Sequence, residues 1–467
     1  MNDALIKKLQ EIVGVKDVIC DHEKLLNYSH DEFPLPAIRR VPEIAIRPHN
    51  ADEVSRVLKL ANEEKVPVTP RGGGTGLCGG CVPVRGGIVL LFEHMNKLLE
   101  VDKDNLMVTA EPGVILRDLF ARIEQEGLFF PPHPGDETAT VGGVIATNAG
   151  GARAIKYGTI RNFVRGLEVV LADGEIISVG GKIIKTSTGL SLLNLFIGSE
   201  GTLGIITKAT ISILPSPAQT STLVIPYDTI RDAINTVPEI MKGKVSPLAI
   251  EFIEEDAIQV TEKYLGRDWP VKGARAYLVV IVDAGSPEEI DAVSEKIGRI
   301  CLANKARDVL VADTPAKQKE ILDFRSQMYE ALKPNMLEDL DIVVPISEIA
   351  AHVEAVHEIE REHGLWLPTY GHAGDGNVHT HIMKFGFKEG KPDYTIRKDW
   401  EAVYKNVRSL IHEDAKRRGG LISGEHGIGL VKRGYMDAFL GKTQMDLMKG
   451  IKAVFDPNGI LNPGKIF

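Results

Sequence analysis

At 467 residues, with 43% hydrophobic and 25% charged side chains, the chain is too long for one ordinary core and has the composition of a soluble globular protein of roughly two or three domains. Its formal net charge of −9 argues against nucleic acid, which attracts clustered Lys and Arg. No apolar run approaches the roughly 20 residues that span a bilayer, and the start of the chain alternates charge and apolar groups unlike a signal peptide, so a cytoplasmic protein is expected.

Along the chain, Asn50 followed by Glu53 is a capping-box signal, and Val54, Val57, Leu58 and Ala61 supply the apolar stripe of a helix. A short strand, 66–70, leads into the glycine loop Arg71-Gly-Gly-Gly-Thr75-Gly-Leu-Cys-Gly-Gly80, and a second strand follows at 87–92. From Asn105 to about Leu214 the pattern is β-rich, with strands at 107–110 and 166–171 and dense glycines. Ser, Pro and Thr between Pro215 and Ser221 mark a domain boundary. Beyond it, a strand at 276–282 and a helix at 287–303 suggest an α+β domain with a largely antiparallel sheet. The expected domains are 1–217, 218–420 and a returning segment, 421–467.

Gly74-Thr-Gly76-Leu-Cys-Gly79 fits G-x-G-x-x-G after a strand, but Gly80, Pro83, Gly86 and Gly87 forbid the helix that a dinucleotide fingerprint must open. What survives is the physics of the loop. Successive glycines can turn backbone N–H groups inward as an anion nest, so the loop is expected to bind phosphate. Four cysteines, Cys20, Cys78, Cys81 and Cys301, are too few for a disulfide framework, and no second pair joins the C-x-x-C of Cys78 and Cys81 to complete a zinc or iron–sulfur site.

Two late segments gather imidazoles and carboxylates among glycines: Gly371-His372-Ala-Gly-Asp375-Gly-Asn377-Val-His379-Thr-His381 and Gly424-Glu425-His426-Gly. Residues 378–382 read as a strand, which puts His379 and His381 on one face, with His372 one glycine turn earlier. Imidazole and carboxylate are the groups that bind divalent metals and move protons.

The motifs Pro70-Arg-Gly-Gly-Gly-Thr-Gly76, Pro134-Gly135, Thr140-Val-Gly-Gly143 through Thr147-Asn-Ala-Gly-Gly151, Lys156-Tyr-Gly158 and Gly198-Ser-Glu-Gly-Thr-Leu-Gly204 resemble the FAD-binding domain of the vanillyl-alcohol oxidase and para-cresol methylhydroxylase superfamily. With the two histidine segments, the chain resembles the FAD-linked D-2-hydroxyacid dehydrogenases, over about Ile44 to Lys465. The resemblance implies an α+β fold: a two-part FAD-binding domain, and an α+β substrate (cap) domain with a largely antiparallel sheet. It also implies FAD held by Arg71, Gly72, Gly73, Gly74, Thr75, Gly76 and Leu77 at the pyrophosphate. The rest of the cofactor would be lined by Pro134, Gly135, Thr140, Gly142, Gly143, Asn148, Gly150, Gly151, Tyr157, Gly158, Glu200, Gly204, Ile205, Ile206 and Asn462. No histidine lies in the 71–80 loop, so non-covalent FAD is expected, with Cys78 the alternative tether.

The same resemblance implies a divalent metal (zinc, or iron or manganese) on His372, His379 and Glu425. It makes His426 the general base and Arg325 the cation for the substrate carboxylate, with His381 and Asn377 as substrate contacts. Relatives acting on 2-hydroxyglutarate carry a lysine after this arginine, whereas this chain reads Asn335-Met-Leu-Glu-Asp-Leu-Asp-Ile-Val. An acidic lining favours a small monocarboxylate, D-lactate or glycolate, oxidised to the 2-oxo acid. D-2-hydroxyglutarate dehydrogenase and an inert flavin-binding subunit are the alternatives. The implied electron acceptor is an electron-transferring flavoprotein, an iron–sulfur subunit or a quinone, which is compatible with peripheral attachment to a membrane complex and with a homodimer.

Overall fold

The capping signal at Asn50 does start a helix. In the computed structural model, which describes residues 1–312 and 314–467, Asn50 Oδ1 accepts from Glu53 N at 2.9 Å and the helix runs Ala51–Glu63. Glu53 answers by accepting from His49 N at 2.8 Å, one residue upstream of the expected partner. Val54, Val57, Leu58 and Ala61 are buried as one stripe against the strands on either side.

The chain divides into two compact units: residues 1–150, 159–216 and 425–467 form the first, and residues 151–158 and 217–424 the second. In the first, strands Ile44–Ile46, Ile88–Leu91 and Val68–Arg71 pair in parallel, and Val18–Ile19 adds an antiparallel edge. A separate antiparallel sheet orders Leu98–Asp102, Met107–Ala110, Ile205–Ser212, Val164–Val170 and Ile176–Gly180. The last residues of the chain pair with the glycine-loop strand. Val68 N donates to Ile460 O and Asn462 N to Val68 O, each at 2.8 Å, so the tail lies along the glycine-loop strand.

The second unit is built on a seven-stranded antiparallel sheet, in the order Leu310–Ala312, Gln219–Tyr227, Ala276–Ala284, Ala249–Glu254, Thr369–His372, Asn377–Met383 and Met336–Val343. Facing pairs in an antiparallel sheet share a side. The pairings Val224↔Val279, Val279↔Glu251, Glu251↔His372 and His372↔Asn377 therefore form one row on one face. The adjacent row runs Tyr277, Ile253, Tyr370, His379 and Asp341. Each row begins in the core formed with Trp269, Phe324, Met328 and Leu332, and becomes polar as it leaves it. The opposite face carries Phe252, Val378, Leu340 and Ile342, all buried.

Candidate functional site

In the first unit the glycine loop leaves strand Val68–Arg71 with Gly72, Gly73 and Gly76 exposed. Its back is strapped by residues 30–32. Arg71 Nη1 donates to His30 O at 2.5 Å, Gly79 N to Asp31 Oδ2 at 2.6 Å, and Glu32 N to Gly76 O at 2.9 Å. Burial pushes the Asp31 carboxyl up to about 6. A Cβ on Gly72 would strike Thr140 Oγ1, and Gly74 has φ +76°, which favours glycine. The loop thus offers bare backbone on one side and is braced on the other. Cys78 is buried behind it, and burial pushes the Cys81 thiol up to about 11, with Arg71 donating to its Sγ at 3.0 Å.

The segment that returns at residue 425 is fastened to the same loop. Ile428 N and Gly429 N donate to the Glu200 carboxylate at 2.7 and 2.8 Å, and Leu430 N donates to Cys78 O at 2.8 Å. A Cβ on Gly429 would collide with Cys78 O, and that glycine has φ +53°. Just upstream, His426 Nε2 lies 3.7 Å from Glu425 Oε1, and Glu425 passes against Gly150.

In the second unit the polar ends of the two sheet rows make one cluster. The rings of His372 and His379 lie 5.3 Å apart at 88°. His372 Nδ1 and Glu251 Oε1 share a hydrogen bond of 2.5 Å, and His379 Nδ1 is 3.5 Å from Asp339 Oδ1. Arg325, at the end of helix Pro315–Ser326, donates from Nε and Nη2 to Glu251 Oε2 at 3.0 and 2.7 Å and stacks on Tyr370, 4.4 Å from the ring centroid. Burial pushes the Glu251 carboxyl up, but His372 and Arg325 outweigh it and hold the group below its ordinary value. Ser423 Oγ and Gly424 N donate to Asp341 at 2.8 and 3.1 Å, so the second unit ends on this face, one peptide bond before Glu425.

A model of the FAD linked oxidases, C-terminal domain, matches residues 216–466, and one of the FAD binding domain matches residues 42–180. The chain belongs to the FAD-linked oxidases. A D-lactate dehydrogenase of Archaeoglobus fulgidus is 46% identical over 94% of the chain and 95% of the relative. The glycolate oxidase subunit GlcD of Bacillus subtilis is 40% identical over 99% and 96%. The solved structure of p-cresol methylhydroxylase with substrate bound shares the fold, with a TM-score of 0.79 at 16% identity over 99% of this chain and 96% of that one. The fold class expected from the sequence is therefore found.

For an FAD-linked oxidase the glycine loop fits its cofactor: exposed, Cβ-free backbone is what an anionic pyrophosphate can approach. Several expected cofactor contacts are nevertheless turned inward. The guanidinium of Arg71 and the Glu200 carboxylate brace the chain as described, and the Asn462 amide donates to Gly80 O and Glu200 O at 2.9 and 2.7 Å. Asn148, in the left-handed conformation at φ +54°, accepts from Thr159 Oγ1 and Arg161 N. Ile205 and Ile206 are buried at the start of their strand, while Gly142 and Gly204 are packing positions against Pro112 and Val169. Gly151, Tyr157 and Gly158 belong to the second unit.

Two expected substrate contacts, His381 and Asn377, are held by the protein's own groups. His381 is fully buried between Tyr370 and Tyr329, and burial pushes its pKa down to about 4, so it is a neutral core imidazole. The Asn377 amide donates to Asp341 Oδ1 and Ile342 O at 2.9 and 3.0 Å and tethers neighbouring strands instead. The acidic stretch is also split. Asp339 and Asp341 share the site face, whereas Glu338 points the other way, to Tyr404 and Arg408 at 2.6 and 2.8 Å. Glu251, Tyr370 and Asp31 went unrecognised. The one signal for Glu251 was a carboxylate inside the otherwise apolar strand Ala-Ile-Glu-Phe-Ile.

Proposed function

We propose that this FAD-linked oxidase oxidises a small D-2-hydroxy acid, D-lactate first and glycolate next, to the 2-oxo acid. The observation that carries the reading is the sheet-face cluster of His372, His379 and Arg325 on a chain with D-lactate dehydrogenase relatives. Bound FAD would supply the two-electron acceptor for the C2 hydride. His426 takes the hydroxyl proton as that hydride leaves, a task suited to imidazole near neutral pH. Arg325 holds the substrate carboxylate; its Nη1 makes no hydrogen bond among the described residues.

His372, His379 and Glu425 would hold a divalent ion, zinc or alternatively iron or manganese, which supplies a Lewis acid at the hydroxyl oxygen. Support comes from the Glu251 carboxylate on His372 Nδ1, since metal-ligating imidazoles commonly turn their other nitrogen to a carboxylate. Gly424, bonded to Glu425, donates from N to Asp341 Oδ1, and Asp341 pairs with His379. The backbone of 71–77 would hold the pyrophosphate, and residues from 134–158 and 200–206, with Asn462, would hold the rest of the cofactor. Asp339 and Asp341 disfavour a second carboxylate. Electrons pass on to a protein or quinone acceptor.

The test is anaerobic addition of D-lactate to metal-replete protein, followed as bleaching of the flavin band near about 450 nm. D-lactate should bleach it faster than D-2-hydroxyglutarate. The reverse order would overturn the substrate assignment, and no bleaching by any D-2-hydroxy acid would favour an inert flavin-binding subunit.

A further inference from the structure

We infer that Glu251 is a positioning residue that couples the metal-binding imidazole of His372 to the substrate-binding guanidinium of Arg325. The inference rests on the roles proposed above for those two residues. Glu251 is 3% exposed and lies between Ile250 and Phe252, both buried. Burying a carboxylate is unfavourable unless it is paired and hydrogen-bonded, so its presence inside an apolar strand calls for donors. It has them on both sides. Oε1 faces His372 Nδ1 at 2.5 Å, and Oε2 accepts both Arg325 contacts, at 3.0 and 2.7 Å.

Each contact fixes something the reaction needs. A proton held on His372 Nδ1 leaves the lone pair on Nε2, the tautomer that ligates a metal through that atom. The hold on Nε and Nη2, together with the Tyr370 ring under the guanidinium, sets the rotamer of Arg325 and directs Nη1 elsewhere. A purely structural ion pair between helix and sheet would explain the Arg325 half alone. That docking already has Ile321, Phe324, Met328 and Leu332 buried in the apolar cluster, and it needs no carboxylate shared with a histidine.

Both partners are donors, so two acceptor oxygens are required. Glu251→Gln keeps the shape but has one acceptor oxygen and an amide that opposes whichever donor it faces. In FAD-loaded protein, competition with a chromogenic chelator should show metal affinity reduced by about 10–100-fold. KM for D-lactate should rise about tenfold or more, with FAD content unchanged. Glu251→Asp, charged but one methylene shorter, reaches one partner at a time and should recover one of the two losses.

Wild-type metal affinity together with wild-type KM in Glu251→Gln overturns the coupling. If the wild-type protein binds no metal, the metal reading fails by itself; the hold on Arg325 is then judged by KM, and an unchanged KM again overturns it. Should Glu251→Gln fail to fold, Glu251→Asp decides, and recovery of neither property overturns the inference.

Discussion

His426 and Glu425 are sequence neighbours whose side chains lie 3.7 Å apart, yet they are assigned different work. If His426 is the base, His426→Ala should abolish D-lactate-driven flavin bleaching while FAD stays bound. The cradle residues lie elsewhere, and a general base contributes about 10²–10⁴-fold. Stopped-flow rates beside FAD content check this, and bleaching within tenfold of wild type rules His426 out as the base. The glycine two residues beyond its neighbour Gly427 makes a second prediction. Gly429→Ala places a Cβ against Cys78 O at φ +53°, so it should cost about 1–3 kcal/mol in backbone strain and loosen the loop that Glu200 fastens. At roughly 2–4 °C per kcal/mol, a thermal melt should record a drop of several degrees. Strand alternation put His379 and His381 on one face. Both do share a face, but a strand advances about 6.6 Å over two residues. That step carries His381 to a fully buried position beside Tyr370, with Nε2 3.7 Å from Asp339.

At the scale of elements, helix Ile349–His363 is held by polar contacts as well as by packing. His352 Nδ1 meets Asp414 Oδ2 at 2.7 Å, and His357 Nε2 meets Glu254 at 2.9 Å. The Glu254 charge pushes His357 up to about 9 against the opposing effect of burial. Burial pushes Glu360, on the same helix, up to about 8. Both folded-state values lie above the unfolded ones, so both groups favour the folded state at low pH. The His357 contribution is complete below about 6.5 and is lost as pH rises through about 9; that of Glu360 declines from about 4.5 to about 8. The melting temperature should therefore fall between pH 7 and 9.5, and His357→Gln should flatten the fall; an equally steep fall in that variant assigns it to other groups. Elements of this kind were legible where the pattern is local. Asn50 and its apolar stripe gave a helix, and the alternation around His379 gave a strand. The pairing of Glu251 with His372 was not legible, because it joins positions 121 residues apart through a sheet order that no local pattern encodes.

At the scale of the molecule, the chain passes between its units at Gly150–Gly151, Gly158–Thr159, Ser216–Pro217 and Gly424–Glu425. The glycine loop that fits FAD lies in the first unit, while His372, His379 and Arg325 lie in the second. Glycine-rich sequence marked both regions as sites, but it could not show that the side chains of Arg71, Glu200 and Asn462 brace the surrounding chain. Glu425, the third proposed metal ligand, also lies in the first unit, so loss of the metal and loss of FAD are to be measured separately. Dialysis against a strong chelator should leave FAD with the protein through gel filtration, since no glycine-loop residue is a proposed metal ligand. D-lactate bleaching should slow by about 10²-fold, because a Lewis acid at the reacting oxygen is worth several kcal/mol. Adding back zinc, iron or manganese singly should restore the rate and name the ion. Full bleaching speed in protein verified to be metal-free would remove the metal from the mechanism and leave His426 and Arg325 to carry the chemistry with FAD alone.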